Sequence, residues 1–165
     1  MYSDDFRENY VITPKKGTTG NERFYIMALD DIDNSKHYWY KSAYNKMTID
    51  TSEDFEKGKE NTQTMISQWN SNKYPPQDDN DMWGLIQTQV NNGWFVPSRA
   101  EWSAFAEELG ITRENYVNHN LSDLYWSSSQ GGTYVAWDAS FYNGRMDYGT
   151  VSINYYHYVR LAATF

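Results

Sequence analysis

The sequence predicts an α+β domain, and three observations carry that expectation. Ser98-Arg99-Ala100-Glu101 has the spacing of a helix-opening capping box, followed by an apolar helical pattern. After Asp123 the apolar period shortens to two. Asn143-Gly144 then punctuates the alternating runs as a two-residue hairpin turn. The chain has 165 residues, which suits one domain at roughly 100–200 residues each. Residues 1–21, broken by Pro14, Gly17 and Gly20, read as an irregular N-terminal arm, and residues 22–165 as a single domain.

Phe24 to Leu29 has strand composition, and His37 to Tyr44 reads as a second strand or a loop. Glu60 to Trp69 reads as a helix with Met65, Ile66 and Trp69 on one face. Pro75-Pro76 ends it, and Asp81 to Val90 forms the next helix candidate, burying Met82, Trp83, Leu85 and Ile86. Asn91-Asn92-Gly93 stops that helix. The helix opened by Ser98 carries Trp102, Phe105, Ala106 and Leu109, and Gly110 closes it. Val135, Trp137, Ala139 and Phe141 then alternate with Tyr134, Ala136, Asp138, Ser140 and Tyr142. Alternation places Tyr134, Asp138, Ser140 and Tyr142 on one shared outer face. Val151 and Ile153 alternate with Thr150, Ser152 and Asn154, and Tyr158 to Ala163 reads as a central final strand.

The formal net charge of −8 argues against nucleic acid, whose affinity comes from Lys and Arg on phosphates. With no cysteine, disulfide frameworks, thiolate catalysis and Cys-bound zinc are excluded. No apolar run approaches the roughly 18 residues needed to span a bilayer. Met1-Tyr2-Ser3-Asp4-Asp5 has no leader pattern, so no signal peptide is expected. Aromatic residues make up 18% of the chain, which argues against disorder. All eight Lys lie between Lys15 and Lys73, whereas ten aromatic residues fall between Tyr125 and Tyr158. Tyr and Trp among Ser, Asn and Gly is the mixture of recognition surfaces.

No catalytic, metal or cofactor site is expected. His37, His119 and His157 have no companion spacing. Ser127-Ser128-Ser129 lacks a Gly-x-Ser-x-Gly elbow and reads as backbone-satisfying serines. Asp78, Asp79 and Asp81 lack the Gly and Glu of a calcium loop and read as charge at a helix start. Arg160, in an apolar strand, reads as a buried, paired Arg, and Glu101 as a cap.

Gly93-Trp94-Phe95-Val96-Pro97-Ser98-Arg99-Ala100-Glu101-Trp102, Tyr125-Trp126-Ser127-Ser128-Ser129, Ala136-Trp137, Phe141, Asn143-Gly144 and Tyr158-Val159-Arg160 occur in that order. The set resembles C-type-lectin-fold domains of the group that includes the Fibrobacter major paralogous domain. It also resembles variable proteins of diversity-generating retroelements, whose best-known member is a phage major tropism determinant. The resemblance covers about residues 57–165. It implies a C-type lectin-like fold and a ligand-binding scaffold that is not an enzyme. Such a scaffold is displayed on a phage tail or bacterial surface, and its variable region here is about 125–158. In that family, mutation at adenines lets Asn codons become many other residues. Tyr134, Asp138, Ser140, Tyr142, Asn143, Arg145, Asp147, Tyr148, Thr150, Ser152, Asn154, Tyr156 and His157 fall in that set and are the expected ligand contacts. Trp94, Trp126, Trp137, Phe141, Gly144 and Arg160 are implied scaffold. The expected partner is a protein or glycan on a cell surface, with no nucleic acid and no membrane insertion. Neither Glu-Pro-Asn nor Trp-Asn-Asp occurs, so calcium-dependent sugar binding is not expected. A fixed-specificity surface domain for a glycan or protein is the alternative.

Overall fold

In the computed structural model, which describes residues 10–14, 24–141 and 149–164, two small sheets and four helices form the domain. The order is β1 (Tyr10–Pro14), β2 (Phe24–Ala28), α1 (Gly58–Asn70), α2 (Met82–Leu85), α3 (Gln87–Asn91), α4 (Arg99–Glu108), β3 (Leu124–Gly132), β4 (Val135–Ser140), β5 (Thr150–Ser152) and β6 (Ala162–Thr164). One antiparallel sheet runs β1-β2-β6 and the other β3-β4-β5. The class is α+β, as the sequence predicts. No helix among the described residues is long and apolar enough to cross a membrane.

The capping box at α4 is complete. The Glu101 amide donates to Ser98 Oγ at 3.2 Å, and the Ser98 amide donates to Glu101 Oε2 at 2.7 Å. The helix start is therefore tied off by its own residues. Along α1 the buried stripe is Gly58, Asn61, Thr62, Met65 and Gln68, mostly small or polar, with Ile66 and Trp69 only partly covered. The polar members are satisfied. Asn61 brackets Ser52, accepting from its amide at 2.9 Å and donating to its carbonyl at 2.7 Å. The Val96 amide donates to Thr62 Oγ1 at 3.0 Å. Gly58 is required by close approach, since a Cβ there would lie 2.1 Å from Glu101 Oε2 and 2.8 Å from the Val96 carbonyl oxygen. Gly58→Ala is expected to cost roughly 1–3 kcal/mol through overpacking. A lower urea midpoint at unchanged slope is the readout.

Strand β3 divides two apolar clusters. Trp126, Ala136 and Ile153 join Trp39, Met65, Trp83 and Val159 in one. Tyr125, Ala139 and Phe141 join Phe95, Trp102 and Phe105 in the other. The β3–β4 sheet is thus covered on both faces. Three buried indoles find acceptors: Trp39 Nε1 donates to the Ser127 carbonyl at 2.8 Å, Trp126 Nε1 to that of His37 at 2.7 Å, and Trp102 Nε1 to that of Trp126 at 3.2 Å, whereas the Nε1 of fully buried Trp83 has no partner among the described residues.

Several expectations need correction. Part of the supposed irregular arm, 10–14, is a strand paired with β2, consistent with its Val-Ile-Thr content. The Asp81–Val90 helix is two short helices with a break at Ile86, and Leu85 is exposed. Gly84 there leaves room for the Trp69 ring. Segment 37–44 is held by isolated bridges and a short 3₁₀ turn at Lys41–Ala43. The final strand covers only Ala162–Thr164, whereas Tyr158 pairs singly with Tyr125. Asp81 is not a solvated helix-start charge. It is fully buried and accepts from the Lys41 amide at 2.8 Å, the Asp78 amide at 3.1 Å and Trp69 Nε1 at 3.1 Å.

Candidate functional site

Beside the second sheet, distant segments are joined by backbone hydrogen bonds. The Ile153 amide donates to the Tyr134 carbonyl at 3.1 Å, and the Ile153 carbonyl accepts from the Trp39 amide at 3.1 Å. His37 and His157 exchange backbone hydrogen bonds at 2.8 and 3.1 Å. Segment 37–44 is therefore attached to the 134 turn and to 153–157. Within it Trp39 and Tyr40 are fully buried, which anchors the backbone.

Large side chains remain outside. Tyr44, Tyr134, Tyr155 and Tyr156 are 44%, 51%, 59% and 49% exposed. Tyr44 and Tyr134 have ring centroids 6.1 Å apart, and Tyr38 and Tyr156 4.4 Å apart. The Tyr38 and Tyr156 hydroxyls are hydrogen-bonded, which holds the Tyr156 phenol above its ordinary pKa. Lys41 Nζ lies 4.8 Å from the Tyr38 ring centre and 2.9 Å from Asp78 Oδ2. That cation is thus partly neutralised beside the rings.

Among the expected contacts, Tyr134 and Tyr156 belong to this surface, and Thr150 is exposed. Ser140, Ser152 and Asn154 are half-buried, with Ser152 Oγ donating to Asn154 Oδ1 at 2.6 Å. Tyr142, Asn143, Arg145, Asp147 and Tyr148, with the scaffold residue Gly144, lie outside the described residues. Asp138 and His157 do not belong to the surface: they are 8% and 3% exposed. His157 Nε2 lies 3.0 Å from Asp138 Oδ2, and the imidazole stacks on Trp126 at 4.2 Å between ring centres. The expected outer face of β4 is instead packed: Ala136 is fully buried and Asp138 nearly so, whereas Val135 and Trp137, expected inside, are half-buried. His157 is pulled inward by its backbone pairing with His37.

The implied scaffold residues are largely covered. Trp126 and Phe141 are buried, and Trp94 packs partly against the first cluster. The Arg99 guanidinium lies 4.6 Å over the half-buried Trp137 ring. Arg160 is 1% exposed. Two of the three serines serve the backbone, and the third serves a side chain. Ser127 Oγ donates to the Trp137 carbonyl and Ser129 Oγ to the Ser52 carbonyl, both at 2.8 Å, and Ser128 Oγ accepts from Asn61. Sequence reasoning missed Tyr38 and Tyr44 as surface partners. The aromatic density of 37–44 was the available signal. Two open cavities of about 290 and 270 Å³ flank Asp30 and Asp31, and none of the exposed tyrosines lines either.

These features define a small α+β domain with a tyrosine-bearing face held by backbone pairing. No family model matches the chain, and no curated protein matches its sequence.

Proposed function

We propose that this chain is a binding domain of C-type lectin-like fold, not an enzyme, displayed on a phage tail or bacterial surface. Its C-terminal face is diversified by a retroelement to recognise varied surface ligands. One observation carries the reading: Tyr134, Tyr155 and Tyr156 stand exposed on a framework whose backbone is fixed by hydrogen bonds. Tyrosine supplies large amphipathic contact area with only two side-chain torsions to freeze. The framework keeps its own bonds when the outward side chains change, so variation there costs little stability.

Amplicon sequencing of this gene from its source population tests the proposal. Substitutions are expected at adenine-containing codons for Tyr134, Thr150, Ser152, Asn154 and Tyr156. Asp138 and His157 are expected to stay nearly fixed, because changing one leaves the other buried and unpaired. Variation across 125–158 no greater than across 60–110 would refute diversification. The exposed ring faces also suit stacking on sugars, which favours a fixed glycan ligand as the second reading. Glycan-array binding that persists in chelator, with an invariant gene, is the result that selects it.

A further inference from the structure

We infer that the cavity between the end of β2, α3 and Trp94 binds an organic cation, an alkylammonium group that carries N–H donors. The inference is independent of the tyrosine face and gives the domain a second site.

The cavity holds about 290 Å³, at the small end of the roughly 300–1,000 Å³ of small-molecule sites. Ala28, Ile32, Gln89, Trp94 and Leu161 line it, with Leu29 and the two carboxylates of Asp30 and Asp31. Backbone hydrogen bonds fix these walls. The Ala28 amide donates to the Leu161 carbonyl at 2.9 Å, the Ile32 amide to the Val159 carbonyl at 3.0 Å and the Trp94 amide to the Gln89 carbonyl at 3.1 Å. The site is thus formed before any ligand enters, which lowers the cost of binding.

The lining decides the chemistry. Leu29, Ile32 and Leu161 supply apolar wall, and the half-buried Trp94 supplies an indole. The two carboxylates differ. Asp31 is already engaged: its Oδ1 accepts from Arg160 Nε at 2.7 Å, and its Oδ2 lies 3.5 Å from Ser122 Oγ. Asp30 is exposed, accepts from Asn120 Nδ2 at 3.0 Å, and forms no ion pair among the described residues. Arg160 lines the second cavity, which shares Asp30 and Asp31. Its nitrogens are occupied by Asp31 and by the carbonyls of Ala28, Leu29 and Asn120. The Asp30 charge is therefore left for a ligand. Gln89 adds an acceptor, because its Oε1 is buried with no hydrogen-bond partner. The last torsion of a glutamine is soft, so the amide can turn that oxygen toward a donor arriving in the cavity.

A carboxylate without a cation, an acceptor without a donor and an indole wall fit an ammonium group. Cations are attracted to aromatic faces, and N–H bonds to a carboxylate are among the stronger hydrogen bonds. The formal net charge of −8 draws cations toward the surface. A metal ion would need several oxygen ligands, and Asp31 is held by Arg160.

Titration of the full chain with n-butylammonium chloride at constant ionic strength, followed by proton–nitrogen correlation NMR, tests this. Saturable shifts are expected at the amides of Asp30, Gln89 and Trp94. Asp30→Asn keeps an oxygen for Asn120 and removes the charge. It is expected to weaken Kd about fivefold or more, and Gln89→Leu about threefold or more, with melting temperatures within a few degrees of the parent. If one of these variants melts much lower, the other provides the comparison. Tetramethylammonium, which has no N–H, is expected to bind about tenfold more weakly. A blocked glycyl-lysyl-glycine peptide separates the sources of the group. Affinity equal to that of butylammonium assigns the site to a lysine side chain of a partner, exclusion of the peptide assigns it to a free amine, and both support the proposal. Equal binding of tetramethylammonium overturns the donor assignment. Glucose saturating the same amides where butylammonium does not overturns the cation. Shifts that do not saturate, or a Kd unchanged in both variants, overturn the site.

Discussion

Arg160→Leu is expected to lower the unfolding free energy by about 3–5 kcal/mol, the cost typical of removing one partner from a buried ion pair. Arg160 Nε donates to Asp31 Oδ1 at 2.7 Å. Its remaining nitrogens donate to the carbonyls of Ala28, Leu29 and Asn120, and lie 3.3 Å from the Tyr125 hydroxyl. One planar group therefore ties the end of β2 to the 120 turn and to β3. Leucine would take the charged donor away from a largely buried carboxylate, leaving it the 3.5 Å contact from Ser122 Oγ, and would remove one donor from each of three carbonyls. Arg160→Lys is expected to rescue little, because an ammonium on a flexible stem cannot serve so many fixed acceptors. In urea unfolding, Asp31→Asn combined with Arg160→Leu should cost less than the sum of the two single changes. A loss under 1 kcal/mol in Arg160→Leu would show that the network contributes little.

A second large effect is expected from pH. Burial pushes the Glu101 carboxyl from 4.5 up to about 7, outweighing hydrogen bonds from Ser98, Tyr25 and Gly58 that favour the charged form. Its Oε1 is buried without a hydrogen-bond partner, which suits a neutral carboxylic acid better than a carboxylate. The sign follows from proton counting. Between pH 4.5 and 7 the folded chain holds a proton that the unfolded chain releases. The Glu101 contribution to stability is thus greatest below about pH 4.5 and falls as pH rises, levelling above about 7. The difference amounts to about 3 kcal/mol. Buried Asp81 is also shifted upward, by desolvation, and its contribution has the same sign. Glu101→Gln should flatten the decline between pH 5 and 7 while Ser98 and Gly58 keep an acceptor. An unchanged slope in that variant would assign the pH dependence elsewhere.

The parts of this fold that were legible in sequence are those whose cause is local. Ser98 and Glu101 cap a helix through their own three-residue spacing. The pairing of Arg160 followed from the cost of burying a charge. What sequence could not convey was how many faces of a sheet are covered. Period-two alternation separated Asp138 from Ala139, yet both faces of β4 are packed. Asp138 and His157 therefore became an internal pair and not ligand contacts. The length of β6 was overestimated because apolar composition also suits the cluster residues Val159 and Leu161, which pack without extended pairing. Tyr38 and Tyr44 were missed for a different reason. Their partners, Tyr156 and Tyr134, are 118 and 90 positions away respectively, and only the folded backbone brings them together.

The arrangement of the sheets has a consequence for how the domain can be mounted. β1 and β6, the first and last strands described, flank β2 in one sheet. Tyr134 and Tyr156 border the other sheet. A carrier joined next to β1 or next to β6 would therefore attach through the same sheet.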